Sequence, residues 1–367
     1  MFRFIIILLL FFFISPVFSD EYFYATVINQ KMLSTSEIIS QVPSAPEDAA
    51  VQKLTIHINS NKIKKTYPLY NIQLPNSPYN ILAKKNDKII VAKNKKNSSF
   101  ELVDFKRSGV IYFTILIFIM LLIIIGRSKG GMALFSVFLS ILLIFKVFIP
   151  LVLRGYNPLI TGIIIVCISA FITIFFISGF TKKGIISILG TLGGVFSAVL
   201  LTVILGKMAY LFGNSNESIL FFSQNAGKNI NFQYILFAGI IIGALGAVMD
   251  VAVSIASSAI EIVSHNPNIS RKKLMFSLMN IGGDIIGTMA NTLILAYVGS
   301  SLPLILIISM QERLSFIKFS NMELICTEIF RSIVGSIGIL LVVPLTAFFA
   351  SIILLKKNHS HRARIYY

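Results

Sequence analysis

The sequence predicts an α-helical polytopic membrane protein with a small β-rich extracytoplasmic domain at its N-terminus. Three observations lead there: the chain is too apolar for water, its glycines are confined to one part, and that part carries recurring apolar runs. Of 367 residues, 56% are hydrophobic and 13% charged, and the mean hydropathy is +0.84, above what a soluble domain carries. All 23 glycines lie at or beyond Gly109, so a domain boundary belongs near 106–109.

The first segment has Arg3, an apolar run over 4–14, the breaker pair Ser15-Pro16, and then Val17-Phe18-Ser19 with small residues at the cleavage positions. That order reads as a secretory signal peptide, 1–19, cleaved after Ser19. An uncleaved anchor is the alternative, but the run is short against roughly 30 Å of hydrocarbon.

Residues 20–108 form the expected extracytoplasmic β-rich domain. Leu54, Ile56 and Ile58 alternate with polar residues, 88–91 is rich in β-formers, and 100–105 alternates again. The Pro-containing pieces 74–78 and 44–48 read as loops. Lys84, Lys85, Lys88, Lys93, Lys95 and Lys96 read as a solvated face near anionic lipid rather than a ligand site.

About seven transmembrane helices are expected within 109–355, at 110–125, 132–153, 159–180, 185–205, 232–263, 274–298 and 325–355. Arg127 with Lys129, Lys182 with Lys183, Arg271 to Lys273, and the basic tail 356–367 then share one side, the cytoplasmic one. This places the protein in the cell (inner) membrane with its N-terminal domain extracytoplasmic and its C-terminus cytoplasmic. The stretch 302–309 is too short for an eighth span and reads as an extension of the sixth helix past Pro303 or a re-entrant piece. Tyr156, Tyr210, Tyr234 and Tyr297 are candidate interfacial anchors. The net charge of +17 follows largely from tails, loops and the polar domain, so lipid is the expected partner and nucleic acid is not. A partner membrane protein or a homo-oligomer is left open.

Neither cysteine, Cys167 or Cys326, lies in the exported domain, and His57, His265, His359 and His361 all lie outside the spans. No disulfide framework, metal site, cofactor or catalytic residue is therefore expected. Charge inside the spans is the informative feature, because an unpaired carboxylate at the bilayer centre costs at least about 2.5 kcal/mol. Asp250, Asp284, Glu328, Arg331 and Lys146 need partners or water. Counted from the cytoplasmic turn, Asp250 and Asp284 both lie about 15 to 20 Å deep. Ser254, Ser257 and Glu261 share a face with Asp250; Thr288 and Asn291 share one with Asp284. Two such carboxylates at one level would hold a proton or share a cation. Glu328 and Arg331 have i, i+3 spacing, and Ser320 with Glu323 has the spacing of a capping box. The pairs Gly190/Gly194, Gly239/Gly243 and Gly283/Gly287 predict close helix approach.

These segments carry a resemblance: G-A-L-G-A-V-M-D-V-A-V-S from Gly243 to Ser254, G-D-I-I-G-T-M-A-N-T-L-I-L-A-Y-V-G-S-S from Gly283 to Ser301, and E-I-F-R-S-I-V-G from Glu328 to Gly335, ahead of Pro344-Leu-Thr. Together they resemble the YibE/F-like family of bacterial multi-pass membrane proteins, over roughly 110–355. The resemblance implies a multi-pass architecture and directs attention to these residues without implying a substrate. It also implies a basic residue where this chain has Gly283, a departure that alters the charge around Asp284.

The leading expectation is a permease or transporter-like protein for a small solute or ion, using Asp250, Ser254, Ser257, Asp284, Thr288, Asn291, Glu328 and Arg331. Two alternatives stand beside it: a membrane accessory or assembly subunit, and an intramembrane aspartyl hydrolase. The last is disfavoured by spelling, because such proteases show Tyr-Asp and Gly-x-Gly-Asp whereas here Met249 precedes Asp250 and Ile281-Gly-Gly precedes Asp284.

Overall fold

The computed structural model describes residues 22–355 except 44, 47, 61–62, 76, 78–79, 94–98, 214–229 and 311–314. The expected signal peptide, 1–19, and the expected cytoplasmic tail, 356–367, lie outside the described residues. The chain forms two compact units, Met1–Leu121 and Leu122–Tyr367.

The first unit contains strands β1 (Tyr22–Met32), β2 (Ala50–Ser60), β3 (Ile63–Gln73), β4 (Lys88–Lys93) and β5 (Phe100–Phe105), with helix α1 (Thr35–Gln41) between β1 and β2. The sheet is antiparallel in the order β3-β2-β1-β4-β5. Its inner face follows from the alternation. Leu54, Ile56 and Ile58 are fully buried, each stabilising by roughly 1.5–3 kcal/mol, and they pack with Phe23, Leu69, Val91 and Phe100. Tyr67 on β3 and Phe100 on β5 meet at 4.8 Å between ring centroids. The two outer strands thus curl over one core, giving a partly closed barrel. Helix α1 starts at a capping box in which Ser34 and Glu37 exchange hydrogen bonds. It covers Val51 through Leu33, Val42 and Ile38.

Helix α2 (Ser108–Leu143) leaves the sheet two residues after β5 and continues through a π-helical turn, Ile144–Phe148, into α3 (Ile149–Leu153). Then come α4 (Pro158–Ser178), α5 (Lys182–Met208), α6 (Phe232–His265), α7 (Arg271–Ser309), α8 (Phe316–Ser320) and α9 (Glu323–Leu354). Asn157, Thr181 and Asn231 cap the first turns of α4, α5 and α6 with their side chains. Among the described residues, six helices are long and apolar enough to cross a membrane. The count is six, where seven spans were expected, because 110–125 and 132–153 fall on one helical segment, Ser108–Leu153. That segment is broken at Arg127, whose backbone leaves the helical region with φ 49° and ψ −133°. A Cβ on Gly130 would lie 2.1 Å from the carbonyl oxygen of Leu122. Residues eight apart on a straight helix are about 12 Å apart, so the chain doubles back here. The stretch 302–309 extends α7 through Pro303, as one of the two expected readings had it.

Three helices make the centre of the second unit. A Cβ on Gly194 of α5 would meet Val248 of α6 at 2.8 Å and Val342 of α9 at 2.9 Å, and one on Gly190 would meet Thr346 of α9 at 2.1 Å. Only glycine permits that approach of backbones. Helix α4 leans on α6 where Gly162 faces Ala238. Helix α7 lies on α9 where Gly282 faces Val343.

Candidate functional site

Helix α6 divides into two sides. Val248, Val251, Ala252, Ile255, Ala256 and Ala259 are buried in the core. About half a turn round, Gly239, Gly243, Gly246 and Asp250 are exposed, and Ser254 and Ser257 are half-buried. Their spacings of 4, 3, 4, 4 and 3 residues make one stripe along the helix. Nothing lies within 4 Å of a Cβ built on Gly239 or Gly246. At the far end of the stripe, Glu261 and His265 are 2.9 Å apart.

Helix α7 is divided in the same way. Ile281, Ile285, Ile286, Met289 and Leu293 pack against the core, on the side where Gly282 meets Val343. Asp284 is two residues, about 200°, past Gly282, and Asn291 follows two turns later. Asp284, Thr288 and Asn291 are all exposed. The expected close approach at Gly283/Gly287 is not made among the described residues, none of which lies within 4 Å of a Cβ on either. The contact belongs to Gly282, one residue and about 100° away.

The two helices meet where the Tyr297 hydroxyl of α7 lies over α6, 2.7 Å from the position of a Cβ on Gly243. Gly243 belongs to the Asp250 stripe, so that stripe runs along the seam between α6 and α7. Gly194 meets Val248 of α6 and Val342 of α9 together, and Gly282 of α7 meets Val343, so Asp284 lies within about one turn of the level of Asp250. Asp284 is about 140° round α7 from Tyr297, so it is turned away from this seam and the two carboxylates are not opposed. Among the described residues neither side chain has a hydrogen-bond or ion-pair partner. The hydroxyls donate to their own helices: Ser254 to the Asp250 carbonyl at 2.8 Å, Ser257 to Val253 at 2.7 Å, and Thr288 to Ile285 at 3.0 Å.

Glu328 and Arg331 of α9 form an ion pair at 3.1 Å. The Arg331 guanidinium stands 5.7 Å from the ring centroid of Tyr297, so this pair joins α9 to α7 above Gly243. Among the described residues, the buried Arg331 Nε has no hydrogen-bond partner. Sequence reasoning missed the part played by Tyr297, whose spacing signalled only an interfacial aromatic. It also misassigned Glu323. The N-cap of α9 is Met322, without a side-chain cap, while the Glu323 carboxylate accepts from the backbone N–H groups of Phe212 at 2.7 Å and Gly213 at 2.6 Å. The Ser320 hydroxyl donates instead to the Ile317 carbonyl.

Lys146 is exposed on the π-helical turn. Pro150 explains that turn: its ring clashes with the carbonyl four residues back, that of Lys146, and the ladder shifts so that the Ile149 N–H reaches the Ile144 carbonyl. A cavity of about 210 Å³, lined by Tyr156, Asn157, Asn231 and Tyr234 among others, opens at the helix starts, some 28 Å of α6 from Asp250. Among the described residues, no three of His, Cys, Asp and Glu are placed to hold a metal ion.

No curated protein and no solved structure matches the chain. The family described as YibE/F-like protein matches residues 114–356, a range that takes in the apolar helices, both carboxylates and the Glu328–Arg331 pair. By that match over most of its length, the chain is a multi-pass membrane protein that belongs to the YibE/F-like family.

Proposed function

We propose that this protein is a permease-type carrier of a small solute or ion, with Asp250 and Asp284 as the carboxylates that take up and release a proton or cation. One observation carries the reading: two carboxylates without partners among the described residues stand within adjacent apolar helices, Asp250 along a seam of glycine backbone and half-buried hydroxyls and Asp284 on the exposed side of α7. An ionised carboxylate is costly in hydrocarbon unless a cation, a proton or water accompanies it. Both therefore mark a place where something charged is met. Placed on different sides of their helices, the two suit successive stations better than one shared proton, and they fit hydrolysis poorly, because an aspartyl pair works with carboxylates about 3 Å apart.

The accessory-subunit reading is favoured by a different observation, that Ser254, Ser257 and Thr288 spend their protons on their own helices. Proteoliposomes separate the two. With pyranine trapped inside and a pH step imposed outside, the intact protein should carry protons inward. Asp250→Asn and Asp284→Asn should each slow that flux by about tenfold or more, the scale of losing a group used in the transfer itself, while Ser254→Ala should change it little. Equal flux through all variants, or none through the intact protein with any monovalent cation gradient, would leave the accessory role.

A further inference from the structure

The sheet domain lies outside the range matched by the family, and most of the exposed large apolar side chains among its described residues gather toward one end, Tyr22, Tyr24 and Val103 lying elsewhere. Ile28 and Met32 on β1, Ile72 at the end of β3, Leu74 just beyond it, Ile39 on α1 and Leu82 in the loop before β4 are exposed by 41% to 70%. Strands β1, β3 and β5 run in one direction, because each is antiparallel to its neighbour in the order β3-β2-β1-β4-β5. Met32, Ile72 and Leu74 therefore lie together at the end where those strands finish. Leu82 joins them. The buried Gln52, paired with Met32, donates to the Ala83 carbonyl at 2.7 Å, and Asn71 donates to the Ile81 carbonyl at 2.6 Å. Lys84 and Lys85 follow in the same loop and are exposed.

That end is also where the chain leaves for the membrane. Strand β5 finishes at Phe105 and the first apolar helix starts at Ser108, so Lys106 and Arg107 span at most about 11 Å. Lys106 bonds to Lys88, which pairs with Thr26. From Thr26 to Met32, β1 continues for six residues in the β5 direction, about 20 Å. Along the β5 direction the tip extends further than the linker reaches, which brings it to the headgroup layer, about 5–8 Å deep on each side, when that direction points at the bilayer.

We infer that this end of the sheet domain is seated on the bilayer, with Met32, Ile39, Leu74 and Leu82 entering the headgroup layer and Lys84 and Lys85 against anionic phospholipid phosphates. A soluble domain hides such an apolar surface, whereas a membrane accepts it together with its flanking lysines. The seat needs no second protein. It holds the domain beside the first membrane helix and keeps β1 and β3, which carry the apolar tip, from turning away.

The chain contains no tryptophan, so one introduced residue is a unique reporter. Full-length protein with Leu82→Trp or Ile39→Trp should be reconstituted in nanodiscs carrying nitroxide on the lipid headgroup, beside Tyr22→Trp at the other end of β1. Fluorescence of the first two should be quenched about twofold or more beyond that of Tyr22→Trp, and their acrylamide quenching should be weaker. Replacing phosphatidylglycerol by phosphatidylcholine, or introducing Lys84→Glu with Lys85→Glu, should reduce the headgroup quenching, and inorganic phosphate at matched ionic strength should not. Equal headgroup quenching at both ends overturns the seat. So does a Leu82→Trp shielded from acrylamide and headgroup nitroxide alike, which would mean that protein covers the surface, and displacement by inorganic phosphate, which would mean a soluble-anion site. Proton flux is not read in this experiment, so its outcome is independent of the carrier proposal.

Discussion

Gly282 and Gly283 are neighbours with opposite surroundings. A Cβ on Gly282 would meet the Val343 Cγ1 at 2.2 Å, whereas one on Gly283 meets nothing within 4 Å. Val343 is fully buried and β-branched, so it has little freedom to move aside. Gly282→Ala should therefore lower stability by about 1–3 kcal/mol through overpacking. Gly283→Ala should leave it unchanged or raise it by about 0.5–1 kcal/mol, because alanine is the better helix former. Thermal unfolding of the two variants in the same detergent measures the difference, and equal shifts would mean that α7 does not rest on α9 through Gly282. The sequence motif drew attention to the wrong glycine because i, i+4 spacing says that two residues share a face without saying which face is packed. The same gap separates the expected from the observed surroundings of Asp284: its residue type and its span were legible, its outward side was not.

At the scale of elements, the legible pieces were those whose pattern is local. Strand β2 announced itself through Leu54, Ile56 and Ile58, and β4 and β5 through short β-rich runs. Strand β3 did not, because Pro68 interrupts it; an outer strand tolerates a proline whose missing N–H is not needed on the open side. Helix α1 was missed because seven residues are too few for a periodic signal. Its capping box carries a pH dependence of its own. Hydrogen bonding from Lys31, joined by the Ser34 backbone N–H, lowers the Glu37 carboxyl from 4.5 to about 2. A carboxyl whose pKa falls on folding stabilises the fold above its unfolded value, and that stabilisation is lost as pH drops through the folded value. Helix α1 should thus loosen between about pH 4.5 and about pH 2, read as a fall in amide protection factors over Thr35–Gln41 in the full-length protein. Glu37→Gln should abolish that step. An intact protein with flat protection across the same range would show that the Lys31–Glu37 contact contributes nothing.

Over the whole molecule, the number of membrane crossings decides where every loop and both ends lie, and that number turns on a single residue. Composition and apolar runs made the membrane class and the helical bundle readable at once, since they are sums over many residues. The break at Arg127 was readable only as two cations, Arg127 and Lys129, between apolar runs; the structure adds a helix that doubles back there. If that turn reaches the cytoplasmic surface, Ser108–Leu153 crosses twice, the sheet domain lies outside, and all the basic turns share one side. Ser128→Cys and Tyr156→Cys, each in a background with Cys167 and Cys326 replaced, test this with a membrane-impermeant maleimide. They should react from opposite sides of the membrane, Ser128→Cys from the cytoplasm and Tyr156→Cys from outside. A single crossing would instead bury position 128 in lipid, leaving Ser128→Cys unreactive from either side, and would carry Tyr156→Cys to the cytoplasm. Every loop beyond it would change sides as well, bringing the basic turns after α4 and α6 outside against the charge asymmetry that orients membrane proteins.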